Sequence, residues 1–244
     1  MSSPASCIFT NAYTYDGIGR LVSEQLIIPN SSSLISFSYD LAGNRLSVSS
    51  GASVQTETYT HNRLDSVQHD AAGNVTNYTR DGISYALTWN TQGQLLFVAT
   101  NGVPAESYTW DPLGRRLSTT RLSADHTSQA TEYHVYDGPE CVADVDASGN
   151  PLRLYTWGAG IDNLLAVTIL SPGSTNTYYA VKDHLGSVHA LVDSTGSIAA
   201  SYTYDAWGNL LSHFRTSELP PPFSLAGSRV LPCHQPLQFS RPLV

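Results

Sequence analysis

One short pattern recurs along this chain: an aromatic residue, Asp or Asn, two variable residues, Gly, and then Asn, Arg or Gln. YTYDGIGRLVS starts at Tyr13, FSYDLAGNRLS at Phe37, YTWDPLGRRLS at Tyr108 and YTYDAWGNLLS at Tyr202. Clear or partial copies place their glycines at Gly19, Gly43, Gly73, Gly93, Gly114, Gly149, Gly186, Gly196 and Gly208, and the steps from Gly73 to Gly93 to Gly114 are 20 and 21 residues. Self-similarity on this scale marks a repeat architecture.

The repeat reads as a β-turn. Asp at its first position caps backbone N–H groups, Pro112 at the second suits the fixed φ of a type I turn, and Gly follows where φ must be positive. The turn set is Asp16 and Gly19, Asp40 and Gly43, Asp70 and Gly73, Asn90 and Gly93, Asp111 and Gly114, Asp183 and Gly186, Asp205 and Gly208. A type I turn closed by a left-handed Gly joins hairpin strands. On the entering strand Tyr108 and Trp110 point to one face and Thr109 to the other. Nine turns imply about 18 strands. One hairpin is marginal in water, so the copies must stack into a continuous sheet that curls or closes. No long stretch carries helical periodicity. The expected fold is all-β: stacked hairpins forming part of a curved or spiral β-shell.

Composition agrees. Apolar residues make up 41% of the 244, enough for a core, while charged residues are only 13% and Lys182 is the sole lysine. Helix faces usually carry Lys and Glu; strands and turns do not need them. A net charge of −8 with no Lys/Arg-rich window argues against a nucleic-acid partner. Cys7, Cys141 and Cys233 are far apart and in no metal spacing, which points to neither a disulfide framework nor a zinc site. No apolar run reaches the 18 or so residues of a membrane helix, so membrane insertion is not expected.

The [Y/W]-[D/N]-x-x-G-[N/R] unit resembles the YD repeats of bacterial Rhs proteins, insecticidal toxin-complex shells and teneurins. Residues 131–211 look like the Rhs repeat-associated core, with DHLGSV at Asp183 to Val188 followed by YDAWGN at Tyr204 to Asn209. The resemblance divides the chain into YD hairpins over 1–130, a core-like segment over 131–211 and a Pro-rich, irregular tail over 212–244. It implies a hollow shell of hairpins, secreted or at a cell surface, that in toxin members encloses a C-terminal toxin released by self-cleavage. Implied partners are further YD segments of a longer chain, self-association through open strand edges, an encapsulated toxin domain or surface glycans. Phe223 to Gly227 resembles the start of the family's continuation, but SRVLPCHQPLQFSRPLV keeps none of it, and the expectation is a reading lost soon after Gly227.

Chemistry finds little support in the sequence. Asp183, His184 and Ser187 do not make a hydrolase triad, because strand neighbours point to opposite faces and no G-x-S-x-G elbow is present. The Asp-Pro-Leu-Gly at Asp111 resembles a self-cleavage motif in miniature, but Arg115 follows it and the copy sits in repeat register. Acids such as Asp144 and Asp146 have turn or strand roles, so no glycosidase pair stands out. No catalytic, cofactor or metal residue is assigned, and the expected function is a non-catalytic scaffold wall; the alternative is a carbohydrate- or cell-surface-binding adhesion module. The recurring rings Tyr39, Trp89, Trp110 and Tyr204 read as cross-strand ladders. Trp207, off the repeat position, is the candidate for stacking on a sugar. Arg20, Arg45 and Arg115 read as weak surface partners of the turn Asp residues.

Overall fold

The computed structural model describes residues 10–28, 31–80, 82–122, 129–160, 162–183, 186–205, 210–216 and 219. Trp207, Gly208, His184, Cys7, Cys233 and everything after Leu219 lie outside them. The described residues form strands and turns with no helix. The chain divides into two compact units, with the boundary between Gln68 and His69.

In the first unit, β1 (Thr10–Tyr15), β2 (Leu21–Ile28), β3 (Ser31–Tyr39), β4 (Arg45–Ser50) and β5 (Ser53–Thr56) make a five-stranded antiparallel meander. A small hairpin of β6 (Tyr59–Thr60) and β7 (Arg63–Leu64) follows. The next strands are β8 (Gln68–His69), β9 (Val75–Arg80), β10 (Ile83–Trp89), β11 (Leu95–Thr100), β12 (Val103–Trp110), β13 (Arg116–Leu122) and β14 (Gln129–Asp137). They continue as β15 (Glu140–Val145), β16 (Pro151–Trp157), β17 (Leu164–Ser171), β18 (Ser174–Lys182), β19 (Val188–Val192), β20 (Ile198–Tyr204) and β21 (Leu210–Arg215). These fourteen pair in strict chain order into one open sheet whose outer strands are β8 and β21. The ladder runs unbroken from β13 to β14 across residue 130, and β21 carries it to Arg215, inside the segment read as tail. Leu219 is buried against the same core as Tyr155, Val167 and Tyr202.

The turns explain this regularity. At each motif the Asp carboxylate accepts hydrogen bonds from the backbone: Asp111 Oδ1 from Leu113 N at 2.9 Å and Arg115 N at 2.8 Å. Gly114 N donates to Asp111 O at 3.0 Å, and Gly114 holds φ +84°. A register shift between Thr109 and Trp110 completes a type I turn with a Gly bulge. The same backbone clasp forms at Asp16, Asp40, Asp70, Asn90, Asp146, Asp183 and Asp193. Successive turns of a meander fall on alternate rims. Gly73, Gly93, Gly114 and Gly186 therefore share one rim, while Gly149 and Gly196 lie on the other. Val145 and Val192 stand before those last two turns, where the first-rim copies carry a ring or a long side chain.

One face of the sheet holds the core: Leu87, Leu95, Val98 and Tyr108 at one end, and Tyr155, Val167, Tyr178, Leu191 and Tyr202 at the other. Hydroxyls pair across strands on the opposite face, as Thr109 with Ser118 at 2.7 Å and Thr168 with Thr177 at 2.9 Å.

Candidate functional site

Two constructions use polar side chains in ways the turn alone does not require. The first stitches five of the hairpins to a preceding one, whereas Tyr204 makes no such bond among the described residues and instead meets the His189 ring edge-on. The ring at the last strand position before the turn reaches back to a backbone carbonyl just beyond the previous turn on that rim. Tyr39 donates to Leu21 O at 2.6 Å, Trp89 to Val75 O at 2.6 Å and Trp110 to Leu95 O at 2.8 Å. Tyr136 donates to Arg116 O at 2.9 Å and Trp157 to Cys141 O at 2.7 Å. The expected ring-on-ring ladder is replaced at these positions by ring-to-carbonyl bonds, because the inclined ring spans the strand gap and brings its donor to the neighbouring backbone. Stacked rings occur instead at Tyr78 and Tyr85, 4.6 Å apart.

The residue after Gly completes the stitch. Arg115 Nε donates to Asp111 Oδ2 at 2.7 Å, Nη1 to Gly138 O at 2.7 Å, and its guanidinium lies 4.8 Å from the Tyr136 ring. Arg20 repeats this with Asp16, Asp40 O and Tyr39. Asn44, Asn74 and Asn150 reach the same carboxylate oxygen of their own turns. Arg45 differs from its assignment: it comes one residue later in the repeat and binds Glu57 at 3.2 Å, because Asn44 already occupies Asp40.

The second construction is a polar chain on the core face of β12–β16, partly exposed at Glu106 and Arg121 and buried at Thr119, His134 and Asp144. Glu106 meets Arg121 at 3.3 Å, Arg121 meets Glu132 at 3.0 Å, and Arg153 bridges Glu132 to Asp144 Oδ2, the latter at 2.8 Å. Tyr155 donates to Asp144 Oδ2 at 2.5 Å, and His134 Nδ1 lies 2.6 Å from Asp144 Oδ1. His134 Nε2 is 3.0 Å from Thr119 Oγ1. Thr119, His134 and Asp144 are 1%, 7% and 2% exposed. Burial pushes the Asp144 carboxyl up; the His134 hydrogen bond, the Arg153 charge and the Tyr155 hydroxyl outweigh that and hold it below the ordinary range. An ionised carboxylate only accepts, so Nδ1 carries the proton toward Asp144.

Hydroxyl, imidazole and carboxylate thus stand in the order of a nucleophile, its base and an orienting acid. The arrangement is nevertheless closed. Thr119 sits inside a strand with no route to solvent, and both Asp144 oxygens are taken. Cys141 completes a compact His134, Cys141 and Asp144 group with metal-ligand atoms within 4.8 Å of one another. Its sulfur, however, is disulfide-bonded, with the partner outside the described residues, a pairing the spacing did not point to. With the thiolate committed and the carboxylate saturated by Arg153 and Tyr155, the residues do not fit a cation.

Of the residues singled out in the sequence, Asp183 takes its turn role, capping Ser187 N at 2.9 Å, and its other oxygen lies 3.3 Å from His189 Nε2. Asp205 is half-buried; the rest of its turn, with Trp207, falls outside the described residues. Asp146 caps its own turn, remote in role from Asp144. The Thr119–His134–Asp144 contact was missed. The signal for it was the alternation of Glu132, His134 and Tyr136 with Tyr133 and Val135, which places polar groups on one strand face and apolar ones on the other.

An open sheet of turn-clasped, ring-stitched hairpins defines a YD-repeat shell protein. The teneurin YD-shell family model matches residues 8–217, and the chain belongs to that family. It is 30% identical over 201 residues to the "tRNA nuclease WapA" of Bacillus subtilis (strain 168), which covers 81% of this chain and 7% of that protein. It is 27% identical over 224 residues to the "Double-stranded DNA deaminase toxin A" of Burkholderia cenocepacia (strain H111), covering 15% of the latter. The fold matches the crystal structure of TcdB2-TccC3-TEV with a TM-score of 0.60 at 18% identity, over 82% of this chain and 12% of that one. The chain thus spans a small fraction of the length of these relatives.

Proposed function

We propose that the chain is a wall segment of a toxin-enclosing YD shell, itself non-catalytic, acting outside the cell that makes it. The observation that carries this reading is the open fourteen-stranded ladder, bounded by β8 and β21 and built to be extended by further hairpins. The names of the nuclease and deaminase relatives are consistent with a shared shell joined to different effectors, since the match covers 7% and 15% of their lengths. The polar groups nearest to a catalytic order are sealed inside the wall.

Incubation of the full chain with labelled tRNA, single-stranded DNA and double-stranded DNA tests the non-catalytic reading. No turnover is expected; cleavage or deamination that disappears in His134→Ala would overturn it. A glycan array addresses the adhesion alternative. Silence supports the wall, and reproducible binding lost on Trp207→Ala supports an adhesion surface.

A further inference from the structure

The face opposite the core has an unusual make-up for a surface in contact with water. Cross-strand partners place Tyr133, Val135, Leu154, Tyr179, Ile198 and Phe214 on it, through the pairs Tyr133↔Val145, Val135↔Ala143, Ala143↔Leu154, Ala166↔Tyr179, Val192↔Ile198 and Ser201↔Phe214. Directly opposed residues of an antiparallel pair share a face. Each of these six large side chains is more than two-fifths exposed, Tyr179 at 48% and Phe214 at 54%. Between them stand Ala, Val, Ser and Thr. Of the charged and imidazole side chains in β14–β21 away from the Asp137–Glu140 turn, Glu132, His134, Asp144, Arg153, Lys182, His213 and Arg215 pair on the opposite face, and His189 lies 5.7 Å from Tyr204 of that face. A chain of net charge −8 therefore presents an eight-strand face with no charge between its rims. Contiguous exposed apolar surface of this extent marks an interaction site.

We infer that this face docks on the same face of a second copy, sheet against sheet. Two observations select that occupant. Like charges opposed across a self-contact of an acidic protein repel, and this is the face from which charge is absent. The area also suffices: seven strand spacings of about 4.8 Å by about five residues of 3.3 Å give about 550 Å² per copy, or about 1,100 Å² in the pair. That reaches the range of about 1,000–1,200 Å² where specific association begins. Two such sheets pack about 10 Å apart with the alternating side chains interdigitated, and the Thr168–Thr177 hydroxyls are already paired within their own sheet. The inference stands on the composition of the face alone and does not depend on what the shell encloses.

Sedimentation equilibrium of the full chain from about 1 to 100 µM is the test. The expected result is a concentration-dependent monomer–dimer equilibrium, weakened at least about 100-fold by Tyr179→Lys combined with Val181→Lys. Both positions are exposed strand sites, so the circular dichroism spectrum and melting temperature of the variant should match the parent. Melting is the check that lost association is not lost folding; if that variant does unfold, Phe214→Lys alone, at the β21 end of the face, replaces it. A protein that stays monomeric over the range overturns the proposal. So does association that survives the substitutions and instead slows amide exchange along the edge strand β21, since that is edge-to-edge pairing.

Discussion

Replacing Asp144 with Asn is the most informative perturbation of the wall itself. The side chains are nearly isosteric, so packing is kept while the charge is lost. Asp144 accepts from His134 at 2.6 Å, Arg153 at 2.8 Å and Tyr155 at 2.5 Å. An amide supplies one acceptor oxygen and turns an N–H₂ toward groups that are themselves donors. With the amide oxygen kept toward Arg153 and Tyr155, the N–H₂ faces His134, whose proton must move to Nε2, and the Arg153 guanidinium loses one of its two anions. Breaking a buried ion pair by removing one partner costs about 3–5 kcal/mol. With a urea m-value near 3 kcal/mol/M for a unit of this size, the midpoint falls by about 1 to 1.7 M. The readout is tryptophan fluorescence, since all four tryptophans follow His69 in sequence and report on the second unit. A midpoint shift below about 0.3 M, equivalent to roughly 1 kcal/mol, would refute the reasoning, because that is what a solvated pair contributes.

Three further outcomes follow from the stitched turns. Gly114→Ala places a Cβ where φ is +84°, with only Gln94 Nε2 near it at 3.6 Å. The cost is therefore conformational, about 1–2 kcal/mol by urea melt, and Gly114→Asn should recover part of it; equal loss in both would point to a steric cause instead. Trp110→Phe keeps the ring and removes the donor to the carbonyl of the buried Leu95, so about 1–3 kcal/mol should go, and an unchanged midpoint would show that the stitch is idle. The acid limb tests the clasps together. Asp16, Asp40, Asp70, Asp146 and Asp193 are held below their ordinary 3.8, through hydrogen bonds from their own turns, as is Asp111, where the Arg115 bonds outweigh burial. A depressed folded pKa contributes stability that is present above 3.8 and lost as pH falls through the folded value. The melting temperature should be flat from pH 7 to about 5 and drop below about 4; a drop confined to pH 5–7 would assign the acid limb to other groups.

The strand-and-turn plan was legible because each repeat spells its own turn chemistry: Asp for the cap, Gly for positive φ, and a ring before the Asp. What the ring does was not legible. A period of two places Trp110 on a face but does not say that its N–H meets a carbonyl of the preceding hairpin, which depends on the tilt between neighbouring strands. The rim was hidden for a related reason: Gly149 and Gly196 repeat the turn motif, and only the count of intervening strands sends them to the other edge.

The polar chain was hidden by a stronger assumption, that alternation in a strand reads apolar-in and polar-out. In TEYHVYD the order is reversed: Glu132 and His134 lie on the core face while Tyr133 and Val135 face solvent. Reversal at one strand would cost the burial of unpaired charge. It is tolerated because the neighbouring strands supply complements at the same height, Arg121 on one side and Asp144 with Arg153 beyond it on the other, so that each charge is met across the ladder. The inverted face and the charge-free face are therefore one feature. Moving the charges inward to knit β12–β16 leaves the opposite surface apolar, and a surface so composed is stable in water when something of the same kind lies against it.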